Sequence, residues 1–209
     1  ERITYSNRSP DRLRYLWVQL DPNIFRPDSD AVMSATAPSM DKVSYRSMQS
    51  WLALETFNGG VNITAVKDAQ GQTLPHSIVK TMMRVDLPEP LDPDQQVTFS
   101  IDWNYRINNA RVVRGRTGYE FFEEDGNYIY EIAQWFPRLA AYTDSTGWQH
   151  KQFIGSGEFT LEFGDYLVRI TVPNDHIVGA TGVLLNRHEV LTEQQRKRWE
   201  EAKTAKKPV

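Results

Sequence analysis

The chain carries four histidines, His76, His150, His176 and His188, and no cysteine, so a zinc ion bound to it would need imidazoles and carboxylates. Zinc peptidases of the H-E-x-x-H type set two histidines one helical turn apart, with the intervening glutamate as general base. The nearest approach is His188-Glu189-Val190-Leu191-Thr192, where threonine takes the second ligand position. No other two histidines fall within a turn of each other, so that zinc site cannot be built here. The strand-turn-helix elbow G-x-S-x-G of a serine hydrolase is also missing, since Gly155-Ser156-Gly157 has the wrong spacing. Phosphate loops are absent. Paired carboxylates leave no motif, and 27 acidic residues keep an enzyme built on such a pair open, with Glu131 and Asp144 the pair to mutate. Glu123, Glu124 and Asp125 form an acidic cluster that suits either a hydrated hairpin tip or calcium. Arg106, Arg111, Arg114 and Arg116 make a basic segment that suits either an exposed loop or an acidic partner.

The polar groups best placed to touch a ligand lie in a Gln- and aromatic-rich stretch, where Gln134, Asp144 and Gln149 accompany Trp135, Phe136, Tyr142 and Trp148. Loops on a rigid sheet are where recognition residues concentrate. Large aromatics are equally the filling of a sheet domain, so these four side chains suit either packing or recognition of peptide or sugar.

The elements that must position this loop read mainly as strands. Residues 2–6 and 12–20 alternate bulky and polar side chains around Asn7-Arg8-Ser9-Pro10-Asp11, a turn-forming run that predicts two paired strands. Residues 21–40, with three prolines, predict an irregular excursion. Met48, Trp51, Leu52 and Leu54 recur at helical spacing and predict a short helix over 45–57, ended by Gly59-Gly60. Strands follow over 61–67, 77–87 and 95–107, the last sending Val97, Phe99, Ile101, Trp103 and Tyr105 to one face. Residues 118–135 predict a hairpin with its tip at 123–126. Strands over 157–163 and 165–172, meeting at Gly164-Asp165, and a last one over 176–184 complete the count. Thr192 with Gln195 three residues later predicts a capped C-terminal helix. The fold class is thus mainly β, with antiparallel saddle- or sandwich-like sheets, one short internal helix and a C-terminal helix. The domain boundaries read as a β-domain over 1–186 and a helical linker over 187–209.

Bulk composition narrows the partners. A 40% hydrophobic content over 209 residues is enough for a folded core. The formal charge of −3 comes from interspersed acids and bases, so no field exists to draw in nucleic acid. No transmembrane run of about eighteen apolar residues occurs. Asn7-Arg8-Ser9 and Asn62-Ile63-Thr64 match the glycosylation pattern.

Several phrases resemble the amino-terminal β-domain of aminopeptidase-N-type zinc metallopeptidases, above all the bacterial multidomain members: YSNRSPDRLRYLWVQLDPNIF, FNGGVNIT, AQWFPRLAAYTDSTGWQ and EFTLEFGDYLVRITVPNDHIVGATG. The likeness covers almost the whole chain. It implies a saddle-like β-domain that lends one Gln or Glu to the substrate's free α-amine, with zinc and the H-E-x-x-H and G-A-M-E-N motifs in a catalytic domain further along. Gln134 best matches the amine-binding position and Glu131 is the second candidate. Arg138 and Asp144 resemble the Arg and the acid that brace the loop, although Phe136-Pro137 precedes Arg138 instead of following it. The expectation is a non-catalytic, substrate-positioning fragment with no metal or cofactor of its own, whose partners are its downstream catalytic domain and a peptide N-terminus. The resemblance also implies a periplasmic, secreted or membrane-associated parent. The alternative is a stand-alone β-sandwich that binds glycan or protein through exposed aromatics such as Trp135 and Trp148.

Overall fold

The computed structural model describes residues 1–36, 39–113, 115–156 and 160–208. In chain order the described residues form β1 (Arg2–Ser6), β2 (Leu13–Gln19), a 3₁₀ turn (Asp21–Phe25), α1 (Asp30–Met33), α2 (Tyr45–Thr56), β3 (Val61–Asp68), β4 (His76–Val79), β5 (Met82–Leu91) and β6 (Gln96–Tyr105). There follow β7 (Gly118–Phe122), β8 (Asn127–Glu131), β9 (Arg138–Leu139), β10 (Tyr142–Thr143), β11 (Gly147–Trp148), α3 (Arg187–Val190) and α4 (Glu193–Ala202). The molecule is mainly β with antiparallel sheets, as the alternation pattern predicts.

The first unit, Glu1–Gly164, holds a three-stranded sheet in the order β1-β6-β3 and a four-stranded sheet in the order β4-β5-β2-β9. Alternating burial, clearest on β2 and β6, supplies their common core. Phe99 and Ile101 of β6 and Val61 and Val66 of β3 join Leu16 and Val18 of β2 and Met83 and Val85 of β5 in one apolar cluster. On β6 the intervening Asp102 and Asn104 face solvent. Burial of each large aliphatic side chain contributes about 1.5–3 kcal/mol, so this shared cluster is the main favourable term in the unit.

β1 and β2 do not form the predicted pair. β1 pairs with β6, whereas β2 pairs with β5 and β9, so the turn at residues 7–12 carries the chain from one sheet to the other. Asn7, fully buried, makes that crossing possible. Its side-chain amide donates to the carbonyls of Asp11 at 2.8 Å and Leu91 at 3.1 Å. Its backbone exchanges hydrogen bonds with Gln95 and Asp94, which lie where the chain crosses back between β5 and β6. One residue thus pairs with peptide groups of both crossings, among them the buried carbonyl of Leu91.

The predicted strand over 77–87 is a tight hairpin instead, with Val79 opposite Met82 and Lys80-Thr81 as its turn. Lys80 has φ +54, a conformation that glycine usually supplies in two-residue hairpins. Tertiary bonds hold it: the Lys80 ammonium pairs with Asp30, and its carbonyl accepts from the Asn23 side chain at 2.6 Å. The same Asn23 accepts from the Val61 backbone N–H at 2.7 Å. It thereby joins the start of β3 to the β4–β5 turn.

α2 occupies the predicted span and starts at Ser44, whose hydroxyl accepts from the Ser47 backbone N–H. β7 and β8 form the predicted hairpin around residues 123–126, with Gly126 at φ +65, but β8 ends at Glu131. The excursion over 21–40 contains the 3₁₀ turn and α1. Of the strand predicted over 157–163, residues 157–159 lie outside the described residues, and Leu161 makes a single bridge to Ala140.

The second unit, Asp165–Val209, corrects the remaining strand predictions. Residues 165–172 and 176–184 are not strands, and Tyr166, Val168 and Ile177 are exposed. Alternation records only a fitness for a pleated surface, and no ladder partner meets these residues among those described. α4 begins at Thr192, and the capping box with Gln195 forms in full.

Asn23→Ala removes the partner of two peptide groups at once and should cost about 2–4 kcal/mol; urea unfolding at equilibrium measures the loss.

Candidate functional site

Six residues, 132–137, lead from the end of β8 to β9. Trp135 anchors this loop by packing on Trp103 of β6, with ring centroids 5.7 Å apart, and on Phe136 at 5.0 Å. Beside that anchor Gln134 takes φ +52, a left-handed conformation unfavourable by about 1–2 kcal/mol for a residue bearing a Cβ. The other non-glycine residues with positive φ, Lys80 and Asp94, sit in the short connections between neighbouring strands. Gln134 is half-buried and Glu131 exposed. Strand alternation would set Glu131 and Gln134 on opposite faces, but it stops at Glu131, so the left-handed turn determines where Gln134 points.

Arg138 opens β9 and holds the base of the loop. Its guanidinium pairs with Asp21, which is 2% exposed and also accepts from the Gln19 amide. Burial pushes the Asp21 carboxyl above its ordinary pKa, opposed by Arg138 and the Gln19 hydrogen bond. Asp144, expected to brace the loop with Arg138, lies instead at the exposed tip of the β10–β11 hairpin. There it makes no hydrogen bond or ion pair among the described residues. The acid beside Arg138 is Asp21, more than a hundred residues earlier in the chain. The alternating run that ends at Gln19 continues into Asp21, but no local spacing ties that carboxylate to position 138.

Of the aromatics, Trp148 is buried against Tyr5 and Tyr142, so it packs rather than presents a platform. Trp17 stacks on His150 at 4.8 Å. The exposed aromatic face lies on the β7–β8 hairpin, where Tyr119 opposes Tyr130 and Phe121 opposes Tyr128. Tyr128 and Tyr130 are 51% and 43% exposed. The period-two spacing of Tyr119, Phe121, Tyr128 and Tyr130 was the signal for it.

Among the described residues no three His, Cys, Asp or Glu side chains converge as metal ligands, and no helix is long and apolar enough to cross a membrane. His188 and Thr192 do not share a helix. α3 ends at Val190, and Thr192 caps α4. Asn62 is exposed whereas Asn7 is buried. Arg111 pairs with Glu120 and lies over Phe122, and Arg114 is outside the described residues.

No family model matches the chain, and neither a curated protein nor a solved structure matches it. The likeness to the aminopeptidase-N-type domain therefore rests on the sequence phrases that carry it.

Tyr142 donates its hydroxyl to Asp11 at 2.7 Å, which raises its pKa from 10.0 to about 12. Burial raises Tyr5 to about 12 as well. The bond to Asp11 favours the neutral phenol. Its stabilisation is therefore complete below pH 10.0 and is lost as pH rises through about 12. Ultraviolet titration should find these two tyrosines ionising late, and Asp11→Ala should lower Tyr142 while Tyr5 stays high.

Proposed function

We propose that this chain is a non-catalytic domain that positions peptide amino termini for a zinc aminopeptidase-like protein, with the zinc and the bond-breaking groups in a separate catalytic domain. The observation that supports it best is the left-handed Gln134, next to the Trp135 anchor. An unfavourable backbone conformation persists where the surroundings over-determine it, and such positions cluster at ligand contacts. The chemistry suits an ammonium group. The Gln134 amide oxygen would accept one of its hydrogens, and the exposed Glu131 carboxylate is the second candidate for that role, where the bond would be charge-assisted. No hydrogen bond or ion pair among the described residues occupies either side chain. Arg138, held by buried Asp21, keeps the base of the loop still, so the amine would be fixed relative to the peptide bond that follows it.

Fluorescence titration, with Trp135 as the neighbouring reporter, should show a short peptide with a free amino terminus binding at least about tenfold more tightly than its acetylated form. Gln134→Ala should abolish the difference. Equal binding of the two peptides overturns the proposal.

The alternative, a stand-alone module that binds glycan or protein, draws support from the exposed tyrosine face of β7–β8 rather than from Trp148. Quenching by a polysaccharide panel, lost on Tyr128→Ala and absent with peptides, would favour it.

A further inference from the structure

Away from that loop, a cleft of about 290 Å³ opens where α2 ends and β3 begins, beside the end of β6. Its lining includes Arg26, Arg106, Asn58, Asn62 and Asn104, all residues that carry side-chain hydrogen-bond donors, and no acidic residue. Asn62 and Asn104 are cross-strand partners on β3 and β6, which sets their side chains on one face of the sheet about 5 Å apart. Gly60, at φ +103, shapes the floor. A Cβ there would lie 2.7 Å from Arg26 Cγ, so only glycine lets the arginine stem lie along this backbone.

The two arginines differ in how far an acid offsets them. Arg106 lies over the Phe57 ring at 5.9 Å and has no acidic partner among the described residues. Arg26 approaches Asp28 at 3.4 Å, but both side chains are substantially exposed, and such pairs contribute little. Two like charges lining one cleft disfavour each other, and a bound anion would offset that repulsion. Guanidinium forks match the spacing of carboxylate and phosphate oxygens, and the amides supply further donors. The volume is at the low end for small-molecule sites, which points to a compact ligand.

We propose that this cleft binds a small oxyanion, a carboxylate or a phosphate, through Arg26, Arg106 and the Asn62–Asn104 pair. The site is independent of amine recognition by Gln134, and neither result decides the other.

Isothermal titration calorimetry on the intact chain at constant ionic strength tests it, with inorganic phosphate, succinate and chloride as separate probes. Saturable binding of phosphate or of succinate is expected, with none of chloride, and whichever anion binds identifies the source chemistry. Arg106→Gln and, independently, Arg26→Gln should each weaken that binding by about tenfold or more. Both positions lie at the surface, and circular dichroism confirms that each variant remains folded. Binding that fails to saturate, binding of chloride to the same extent, or unchanged affinity in both folded variants overturns the proposal.

Discussion

Two sheets can share one apolar core only if the chain crosses between them without stranding peptide groups in a dry interior. In this molecule two buried asparagines do much to meet that requirement. Asn7 serves the crossings from β1 to β2 and from β5 to β6, while Asn23 ties the first residue of β3 to the β4–β5 turn. Asparagine suits both places because one short side chain offers donors and an acceptor together. Neither an apolar residue nor an acid of the same size could serve both partners.

On that frame the polar features divide into two regions. One is the Gln134 loop, which joins an exposed hairpin to the four-stranded sheet and is pinned by Trp135 within it and by the Arg138–Asp21 pair where it ends. The second is the donor-lined cleft beside α2 and the end of β6. The net charge of −3 does not reveal either, because a balanced total hides local imbalance. Electrostatics at a site depends on which few groups face the same few cubic ångströms.

What could be read from the sequence was whatever depends on neighbours along the chain. The alternation of Phe99, Ile101, Asp102 and Asn104 reports β6 directly, and Thr192 with Gln195 reports the start of α4, because both are governed by local geometry. Pairing is a different matter. Residues 2–6 and 13–19 look like two arms of a hairpin, yet each finds a better partner across the core. The turn at Lys80 carries no glycine signal, since bonds from Asp30 and Asn23 do the work that glycine does elsewhere. Residues 165–172 have strand character and no strand. At the candidate loop, Gln134 could be singled out by type, and Glu131 and Arg138 through the family resemblance, but Asp21 as the acid beside Arg138 could not, because that proximity belongs to the fold.

The burial of Asn7 has a consequence for the order of events in a cell. Its amide nitrogen is engaged by the carbonyls of Asp11 and Leu91, and it is also the atom to which an oligosaccharide would be attached in an Asn-x-Ser tripeptide. The two fates would compete only in a eukaryotic secretory compartment, the one setting in which the tripeptide matters. A sugar added to the nascent chain would keep the corner between the sheets from closing, whereas a corner closed first would withhold the nitrogen from the transferase.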